Sequence, residues 1–483
     1  MTTQIFLTKK LTTKRQPQFT SNWFYLVNRD NQPIEGEIDF TESLDQIRVK
    51  TDAKEFKLYL HVDSGPLGKI MLRTSLVKNK TSHHHELLPL LIKGRIEQIE
   101  KLVPAITKES QFLELKQART SLRKLHNIAV FSENFLLTWA KQQPQVNLKF
   151  FGQAFRILES KKLEQIHTKL FDGGVVPIYF FKTNPDSAKK FVWGEIDQII
   201  ERLQQNKQKI KGHPLIWLHE ASLPDWMKSL TFPELKTFII KRTEKILQRY
   251  NQAISIWDIT NEFPTQDANF FQLTNAQLLE LTKIASELVA RLAPKAERVI
   301  NISDIFAGHS FIHSQPSIPP EFYLKMLVEQ GIEFESIGLQ FYMGMRKEFV
   351  CRDLVDILER LRVFAKFKKS LHLSELGWPS QNEVDPNSFF GADHPMVAGW
   401  WHQPWNETVQ AEFFQGLKTI FATLPQARSM TWWDLTDHGS HMDIGSRFIP
   451  FGSISRRDFS LKPLAEIIAK EKLQTGGRRQ IFP

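Results

Sequence analysis

The segment AISIWDITNEFP, residues 253–264, begins as a buried strand and ends in polar side chains. Ile256 and Trp257 are apolar, and Asn261 and Glu262 follow a few positions later. A carboxylate at the end of a buried strand is costly unless it is paired or used in chemistry. The segment therefore predicts a strand whose carboxyl end carries a functional carboxylate.

Seven further apolar segments of similar length occur between residues 146 and 475, with amphipathic stretches between them. They are NLKFFGQAF (147–155), GVVPIYFF (174–181), HPLIWLH (213–219), RVINIS (298–303), SIGLQFY (336–342), SLHLSEL (370–376) and SMTWWDL (429–435). Strands that alternate with helices in this way predict an α/β fold, namely a (β/α)₈ TIM barrel over residues 146–475. The alternative is a doubly wound open sheet, which normally has a glycine-rich turn after its first strand, and FGQAFRI is not such a turn.

A barrel of this kind builds its active site at the carboxyl ends of its strands. Glu262 ends the fourth predicted strand, and Glu375, in LHLSELGWPS, ends the seventh. Two carboxyl groups that face each other across a barrel mouth suit the hydrolysis of a glycosidic bond, because one protonates the leaving oxygen while the other attacks the anomeric carbon. The alternative for each residue is an ordinary ion pair at a strand end.

The residues before the barrel predict two more regions. Residues 1–85 contain strand patterns with turn signals between them, which predicts an N-terminal β-rich domain built as a β-sandwich-like layer. Residues 86–145 carry apolar residues at three- and four-residue spacing, which predicts a helical connector. The TSHHHE run (81–86) predicts a solvated linker rather than a metal site, because adjacent side chains point in different directions. The β-rich domain is interpreted either as a carbohydrate-binding module or as a support for the barrel.

Composition narrows the class of protein. The net charge is +10 and the isoelectric point is about 9.3, but lysine and arginine are scattered, so a mildly basic surface is expected and nucleic-acid binding is not. The single cysteine, Cys351, excludes an internal disulfide. No apolar run has the length of a signal peptide or a bilayer span, so we expect a cytoplasmic protein without a membrane partner, with non-standard export as the alternative. The composition predicts no oligomeric state.

Six motifs resemble those of family 10 glycoside hydrolases, the retaining endo-β-xylanases of a large clan of (β/α)₈ glycosidases. WDITNE is similar to the family's W-D-V-V-N-E, KGHPLIWLHEASLPDWM (211–227) to R-G-H-x-L-V-W-H-x-x-x-P-x-W, and SIGLQFY to I-G-x-Q-x-H. LSELGW resembles T-E-L-D, and MTWWDLTDHGS and FSLKPLAEII resemble the closing W-G-x-x-D-x-x-S-W and K-P-A-Y segments. The matches run in order over residues 150–470. The resemblance implies a retaining glycoside hydrolase that acts on a β-linked polysaccharide or oligosaccharide, with xylan as the first choice and no cofactor or metal.

The resemblance also implies roles for single residues. Glu262 is expected to be the acid/base and Glu375 the nucleophile, while Asn261 binds the 2-hydroxyl of the sugar. The other residues expected to contact substrate around the cleft are Lys182, His213, Trp217, Gln340, Tyr342 and Trp433. The first three of these would line the glycone side of the cleft, and Tyr342 stands where the family has a histidine beside the nucleophile.

The departures from the family pattern lie in the sugar pocket rather than in the carboxylate pair. The family's P-E-N-x-M-K after the second strand is PIYFFK here, so Ile178 and Tyr179 replace a glutamate and an asparagine that hold a xylose unit, and only Lys182 remains. Leu218 follows Trp217 where a histidine is usual. The alternatives are therefore a glycosidase or transglycosylase of different sugar specificity and a non-catalytic carbohydrate-binding protein.

Two loops after the last barrel strands are further candidates. The insertion at 379–407 is rich in tryptophan, and Trp401 is expected to serve as a sugar platform, with a fixed cap over the barrel as the alternative. The segment DHGSHMD (437–443) places His438, His441 and Asp443 close together, and hydrogen bonding at the rim is expected there rather than a metal site.

Overall fold

The computed structural model describes residues 2–6, 24–40, 46–79, 84–308, 317–344, 349–383, 398–437 and 451–475. Along the chain it places two β-sheets, a group of helices and a closed barrel. Within these ranges, no helix is both long enough and apolar enough to cross a bilayer.

The N-terminal strands form two sheets. The strands are β1 (Thr2–Phe6), β2 (Phe24–Val27), β3 (Pro33–Ile34), β4 (Glu37–Phe40), β5 (Gln46–Lys50), β6 (Glu55–Asp63), β7 (Gly68–Arg73), β8 (Val77–Lys78) and β9 (His84–Glu86). One sheet has the order β4-β5-β1-β9, and β6 pairs with β2, β7 and β8 in the other. In β5, Ile47 and Val49 are buried while their neighbours are not, which is the period-two pattern of a strand with one covered face.

The histidine run is not a solvated linker where the structure describes it. His84–Glu86 is strand β9, which pairs in parallel with β1. The linker prediction is therefore wrong for these three residues, because their backbone groups satisfy the edge of the sheet.

Three helices follow the sheets: α1 (Leu87–Leu102), α2 (Ser110–Gln117) and α3 (Leu122–Gln142). Ser121 caps α3, because its side chain accepts a hydrogen bond from the backbone N–H of Lys124 at 3.1 Å. The apolar face of α3 includes the buried residues Leu125, Ile128 and Leu136.

Eight parallel strands close the predicted (β/α)₈ barrel, which confirms the fold prediction. They are β10 (Lys149–Gln153), β11 (Gly173–Pro177), β12 (Lys209–His213), β13 (Ile256–Asn261), β14 (Glu297–Ile302), β15 (Ser336–Tyr342), β16 (Ser370–Gly377) and β18 (Ala427–Trp432), with the short β17 (Trp400–Trp401) outside the barrel. The third strand lies earlier than HPLIWLH predicts. Pro214 has no N–H to donate, so the strand ends at His213 and the rest of that motif forms the loop at the barrel mouth.

Helices surround the barrel. They are α4 (Lys161–Leu170), α5 (Phe180–Thr183), α6 (Gly194–Gln205), α7 (Phe232–Tyr250), α8 (Asn275–Leu292), α9 (Pro320–Glu329), α10 (Leu354–Ala365), α11 (Glu407–Phe421) and α12 (Pro463–Thr475). Helix α6 buries Ile196, Ile199, Ile200 and Leu203, which is the i, i+3, i+4, i+7 stripe of a helix packed on one face.

Buried polar contacts join the N-terminal sheets and helices to the barrel. Arg73 of β7 forms an ion pair with Glu359 of α10 at 3.1 Å, with both side chains at most 7% exposed. Arg95 of α1 pairs with Asp353, which caps α10. These contacts favour the support interpretation of the N-terminal region, and the boundaries predicted at residues 85 and 145 stay a prediction.

The prediction of Trp401 as a sugar platform is wrong. Trp401 is only 6% exposed, and β17 pairs with β7, with Trp401 opposite Gly68. The indole N–H donates to Oε1 of Glu133 at 2.8 Å. The side chain therefore works in the junction between the N-terminal sheet and the barrel, as the fixed-cap alternative predicts for this part of the insertion.

Candidate active site

Glu262 follows the last residue of β13 in an unusual backbone conformation. Its φ is 58°, in the left-handed region that non-glycine residues rarely adopt, and the strand has an irregular register between Asp258 and Thr260. The Glu262 N–H donates to the backbone oxygen of Asn301 on β14 at 2.9 Å, which holds this turn in place. Backbone strain of this kind clusters at functional sites, and a bulge redirects the side chains at a strand end.

Glu375 lies within β16 and is surrounded by hydrogen-bond donors. Its Oε1 accepts from Asn301 Nδ2 at 2.8 Å and from Gln340 Nε2 at 2.9 Å. Its Oε2 accepts from the hydroxyl of Tyr342. The imidazole of His213 lies beside it, with Nε2 3.8 Å from Oε1. Three donors on one buried carboxyl group stabilise its ionised form.

Glu262 has fewer donors than Glu375. The indole N–H of Trp217 donates to Oε2 of Glu262 at 2.8 Å, and Trp217 and the nearby Gln340 amide both lower the pKa of this carboxyl group. Gln340 donates to Glu375 and to Asn261, the residue before Glu262, so its side chain lies between the two strand ends.

Burial changes the acidity of both groups. It raises the pKa of Glu375 well above the usual range, and the nearby charge of Glu262 raises it further. Burial also raises the pKa of Glu262. Two carboxyl groups that interact in this way resist simultaneous ionisation, so the pair favours a state with one proton. The larger number of donors favours the negative charge on Glu375 and the proton on Glu262.

A buried charge network positions His213. Its Nδ1 lies 2.7 Å from Oδ2 of Asp258, and Lys211 Nζ lies 2.9 Å from the same oxygen. Burial alone would raise the pKa of Asp258, but the Lys211 charge and the His213 hydrogen bond hold it below its ordinary value. An ionised Asp258 accepts a hydrogen bond from Nδ1–H of His213, which orients the ring with Nε2 toward Glu375.

Aromatic rings form one wall of the site. Tyr179 contacts Trp217 and His213 at centroid distances of 5.5 and 5.8 Å, and His213 contacts Trp433 edge-on at 5.1 Å. Trp217 also stacks on His219 at 5.0 Å. Aromatic faces beside a few polar groups are typical of a site that binds the apolar faces of sugar rings.

The structure brings together most of the residues predicted for the site. The hydrogen bonds and ring contacts above connect Glu262, Glu375, His213, Trp217, Gln340, Tyr342 and Trp433. Asn261 joins them through its Oδ1, which accepts from Asn301 Nδ2 at 2.7 Å. Lys182 lies farther out on α5, where it forms an ion pair with Glu195 at 2.9 Å.

Sequence reasoning missed Asn301, which links Asn261 to Glu375. Its Oδ1 accepts a hydrogen bond from the Ser374 hydroxyl at 2.5 Å, so the amide is held by three neighbouring side chains. The signal was present, because Asn301 is a polar residue at the end of the buried strand RVINIS, as Asn261 is in its own strand.

Metal binding finds no support in the described ranges, which contain no group of three or more histidine, cysteine, aspartate or glutamate side chains placed to hold an ion. The predicted rim residues His438, His441 and Asp443 lie outside those ranges.

The chain is similar in sequence to endo-1,4-beta-xylanases. Endo-1,4-beta-xylanase 3 of Hypocrea jecorina is 26% identical over 156 residues, which are 32% of this chain and 43% of that protein. The chain thus spans less than half the length of this relative. Endo-1,4-beta-xylanase A of Xylanibacter ruminicola is 22% identical over 306 residues, 58% of this chain and 77% of that protein.

The fold is also similar to that of a solved structure. The crystal structure of native xylanase 10B from Thermotoga maritima superposes with a TM-score of 0.51 at 16% identity, covering 70% of this chain and 99% of that one. A family model described as glycosyl hydrolase family 10 matches residues 181–451, more than half of the chain, including both carboxylates at the barrel mouth. This chain therefore belongs to glycosyl hydrolase family 10.

Proposed function

We propose that this protein is a retaining glycoside hydrolase that cleaves β-linked polysaccharide or oligosaccharide, with xylan as the first candidate substrate. One observation carries the proposal: the half-buried Glu262 and the buried Glu375 lie at one barrel mouth, close enough for the charge of Glu262 to raise the pKa of Glu375. An ordinary ion pair at either strand end would place a lysine or arginine on the carboxylate. Within the part of the chain that the structure describes, the contacts of the two groups are instead amides, an indole, a phenol and a histidine.

The reaction proceeds in two steps. In the first, Glu375 attacks the anomeric carbon while Glu262 gives its proton to the departing oxygen, so the glycosidic bond breaks and a glycosyl ester forms on Glu375. In the second, Glu262 takes a proton from water, the water oxygen attacks the same carbon, and Glu375 leaves as a carboxylate. Two inversions return the anomeric configuration of the substrate.

The surrounding side chains support these roles. The donors on Glu375 stabilise it as an anion, and the partial desolvation of Glu262, with fewer donors, favours the proton that the leaving oxygen needs. The Asn261 amide is oriented by Asn301 and is the group that would bind the 2-hydroxyl of the sugar.

Xylan is the first candidate substrate because the similar proteins are xylanases. The residues on the glycone side of the cleft, however, differ from the family pattern. Tyr179 is buried there and stacks on Phe181 at 5.4 Å, in the position where the family pattern has an asparagine. A tyrosine cannot supply the paired carbonyl and N–H groups of an asparagine amide, so the sugar bound next to the reacting unit is expected to differ in its hydroxyl contacts.

Release of reducing ends from a panel of polysaccharides tests the proposal. Wild type, Glu375→Gln and the control Glu335→Gln would be assayed on xylan, glucuronoxylan, mixed-linkage β-glucan, glucomannan and cellulose. Glu335 is a matched control, because it precedes β15 at the other end of the barrel and pairs with Arg298. We expect activity on at least one polymer, lost in Glu375→Gln and kept in Glu335→Gln. Equal activity of wild type and Glu375→Gln would contradict the mechanism.

A further inference from the structure

A buried arginine lies on the apolar face of α7. The buried residues of this face include Phe238, Ile239, Arg242 and Ile246, which follow the three- and four-residue spacing of an amphipathic helix. Arg242 is only 1% exposed, and no carboxylate of the described residues is among its partners. Burial lowers its pKa to about 9, so the side chain is still charged at neutral pH. Because a buried charge without a counter-charge is costly, ordinary core packing does not explain this residue.

Oxygen atoms of neutral groups take the place of a counter-charge. Nη1 of Arg242 donates to the carbonyl oxygen of Leu215 at 2.6 Å, and Nη2 donates to that of Ile178. Its Nε donates to the Thr183 hydroxyl at 2.9 Å, and its Cζ lies 4.4 Å from the centroid of the Phe180 ring. Hydrogen bonds from a charged donor are roughly twice as strong as neutral ones, and the guanidinium presents them in a rigid plane. Arg242 therefore fixes the relative positions of its three acceptors.

The acceptors belong to two neighbouring loops at the barrel mouth. Ile178 follows β11 directly, Thr183 ends α5, and Leu215 lies two residues after the end of β12. Strands β11 and β12 are adjacent in the barrel, and the Ile178 N–H donates to the carbonyl oxygen of His213 at 2.7 Å. One side chain from a surrounding helix thus joins the loops that follow two adjacent strands.

The first of these loops carries Tyr179. This residue comes directly after Ile178, and its carbonyl oxygen accepts from the Thr183 hydroxyl at 3.2 Å. The hydroxyl thus accepts from Arg242 and donates to Tyr179. The Tyr179 ring, which is 2% exposed, packs on Trp217 of the second loop. Arg242 therefore holds the segment from which this part of the aromatic wall projects.

The second loop carries the hydrogen-bond partner of Glu262. Trp217 lies two residues after Leu215, and its indole N–H donates to Glu262 at 2.8 Å. Between them, the carbonyl oxygen of Ile216 accepts from the backbone N–H of Asn261 at 2.9 Å. The segment that leads to Trp217 is thus held by β13 at one residue and by Arg242 at the preceding one. Two anchors on consecutive residues restrict the direction in which the indole leaves the loop.

We propose that Arg242 is a positioning residue for the acid/base. By binding the carbonyl oxygens of Ile178 and Leu215, it sets the loop geometry that brings the Trp217 indole to Glu262. Its effect on catalysis rests on the proposed glycosidase function, whereas its effect on the position of the indole does not.

Arg242→Lys tests the proposal without removing the charge. An ammonium group on a flexible stem cannot hold three acceptors in two loops, so the guanidinium geometry is lost while the charge remains. Arg362→Lys is the matched control, because Arg362 is a partly buried arginine of α10 whose Nη1 donates to the carbonyl oxygen of Leu102, at the end of α1, at 2.8 Å. Thr183→Val is a milder variant, because it removes one hydroxyl and leaves both carbonyl contacts of Arg242.

NMR of protein labelled at tryptophan measures the position of the indole. The chain has 12 tryptophans, and the indole N–H resonance that is absent from Trp217→Phe belongs to Trp217. A hydrogen bond to a carboxylate deshields the indole proton, so we expect this resonance to lie downfield in the wild type and to respond to the ionisation of Glu262. It should move upfield in Arg242→Lys, move less in Thr183→Val, and stay in place in Arg362→Lys.

The pH dependence of kcat/KM, on a polysaccharide that the wild type cleaves, measures the consequence for the acid/base. Loss of the indole hydrogen bond raises the pKa of Glu262, so the basic limb should move to higher pH by about one unit in Trp217→Phe and in the same direction in Arg242→Lys. Arg242→Lys combined with Trp217→Phe should shift no further than Trp217→Phe alone, because both changes remove the same contact. The control should keep the wild-type profile.

A folded Arg242→Lys variant with an unchanged Trp217 resonance would overturn the proposal. A shift of the basic limb that adds in full to that of Trp217→Phe would overturn it as well, because Arg242 would then act on Glu262 by another route. If Arg242→Lys does not fold, Thr183→Val decides by the same two criteria. A wild type that cleaves no polysaccharide overturns the proposed function, and the NMR comparison then decides the positioning role alone.

Discussion

The hydroxyl of Tyr342, at the end of β15, donates a hydrogen bond to Oε2 of Glu375 on the neighbouring strand β16. The register places Gln340, not Tyr342, directly opposite Glu375, so the long phenol side chain reaches diagonally to the carboxylate. A phenol thus does here what the family pattern assigns to a histidine, and unlike a histidine it stays neutral over the pH range in which the carboxyl pair titrates.

Tyr342→Phe is expected to lower kcat/KM about 10- to 100-fold, because it removes one hydrogen bond to a charged group, worth about 1.5–3 kcal/mol. It should also move the acidic limb of the pH–rate profile to higher pH. The reason is that the hydroxyl stabilises ionised Glu375, so its loss raises the pKa of that group further. Kinetics over a pH series measure both effects.

Tyr323→Phe is the control for this experiment. The Tyr323 hydroxyl is buried and contacts Thr282 at 2.7 Å, away from the carboxyl pair. The control should lower stability and leave the profile in place. An unchanged acidic limb in Tyr342→Phe would contradict the assignment of Glu375 as the ionised member of the pair.

Trp217→Phe is expected to move the basic limb of the pH–rate profile. The indole N–H stabilises the ionised form of Glu262, so removing it raises the pKa of the group that must be protonated for catalysis. The basic limb should shift to higher pH and the active range should widen, whereas Tyr342→Phe narrows it. A shift of the acidic limb instead would mean that the two roles are reversed.

Glu375→Gln is expected to stabilise the fold at neutral pH. The folded-state pKa of Glu375 lies well above its ordinary value of 4.5, so the folded protein binds more protons than the unfolded chain between these two values, and stability falls as the pH rises through them. Glutamine carries no charge, and its oxygen can still accept from Asn301 and Gln340 while its amide donates to Tyr342. Thermal unfolding of both proteins at about pH 4 and pH 8 should show a difference only at the higher pH. A wild type that is as stable as the variant at pH 8 would contradict the claim that ionised Glu375 destabilises the folded protein.

Arg73→Met should destabilise the whole protein. The Arg73–Glu359 pair is buried between the N-terminal sheet and α10, and removal of one partner of such a pair leaves an uncompensated charge at a cost of about 3–5 kcal/mol. The control is Lys50→Met, since the Lys50–Glu37 pair is exposed and should contribute nothing measurable. Denaturant unfolding measures the difference. If Arg73→Met were as stable as the control, the N-terminal region would not support the barrel.

The barrel was predictable because each buried strand is a short apolar run followed by a helical stretch. The spacing of apolar residues and the order of these segments are visible in a single sequence. The carboxylate pair was predictable because strand ends of one barrel meet at one mouth. The position of Trp401 was not predictable, because the sequence of a tryptophan-rich loop does not show whether its rings face solvent or a neighbouring sheet. What decides is the pairing of β17 with β7, a contact between residues more than three hundred positions apart.

The contacts of Tyr25 with the barrel were also not predictable from the sequence. Nothing in the segment FYLV (24–27) distinguishes a tyrosine that hydrogen bonds to Arg352 from one that packs only within its sheet. Its position depends on how the N-terminal region docks on α10, and buried ion pairs whose partners are distant in sequence hold that docking. Asn301, by contrast, could have been predicted, because it is a polar residue at the end of a buried strand, as Asn261 is.

Azide rescue tests the central claim most directly, because it identifies each carboxyl group by the face of the sugar that its removal opens. Glu375→Ala and Glu262→Ala would be incubated with 2,4-dinitrophenyl β-xylobioside and sodium azide, and the products examined by proton NMR. The account predicts an α-glycosyl azide from Glu375→Ala, since azide then attacks from the side the nucleophile vacates. It predicts a β-glycosyl azide from Glu262→Ala, since azide then intercepts the glycosyl ester. The opposite assignment of the two anomers, or the same anomer from both variants, would contradict it.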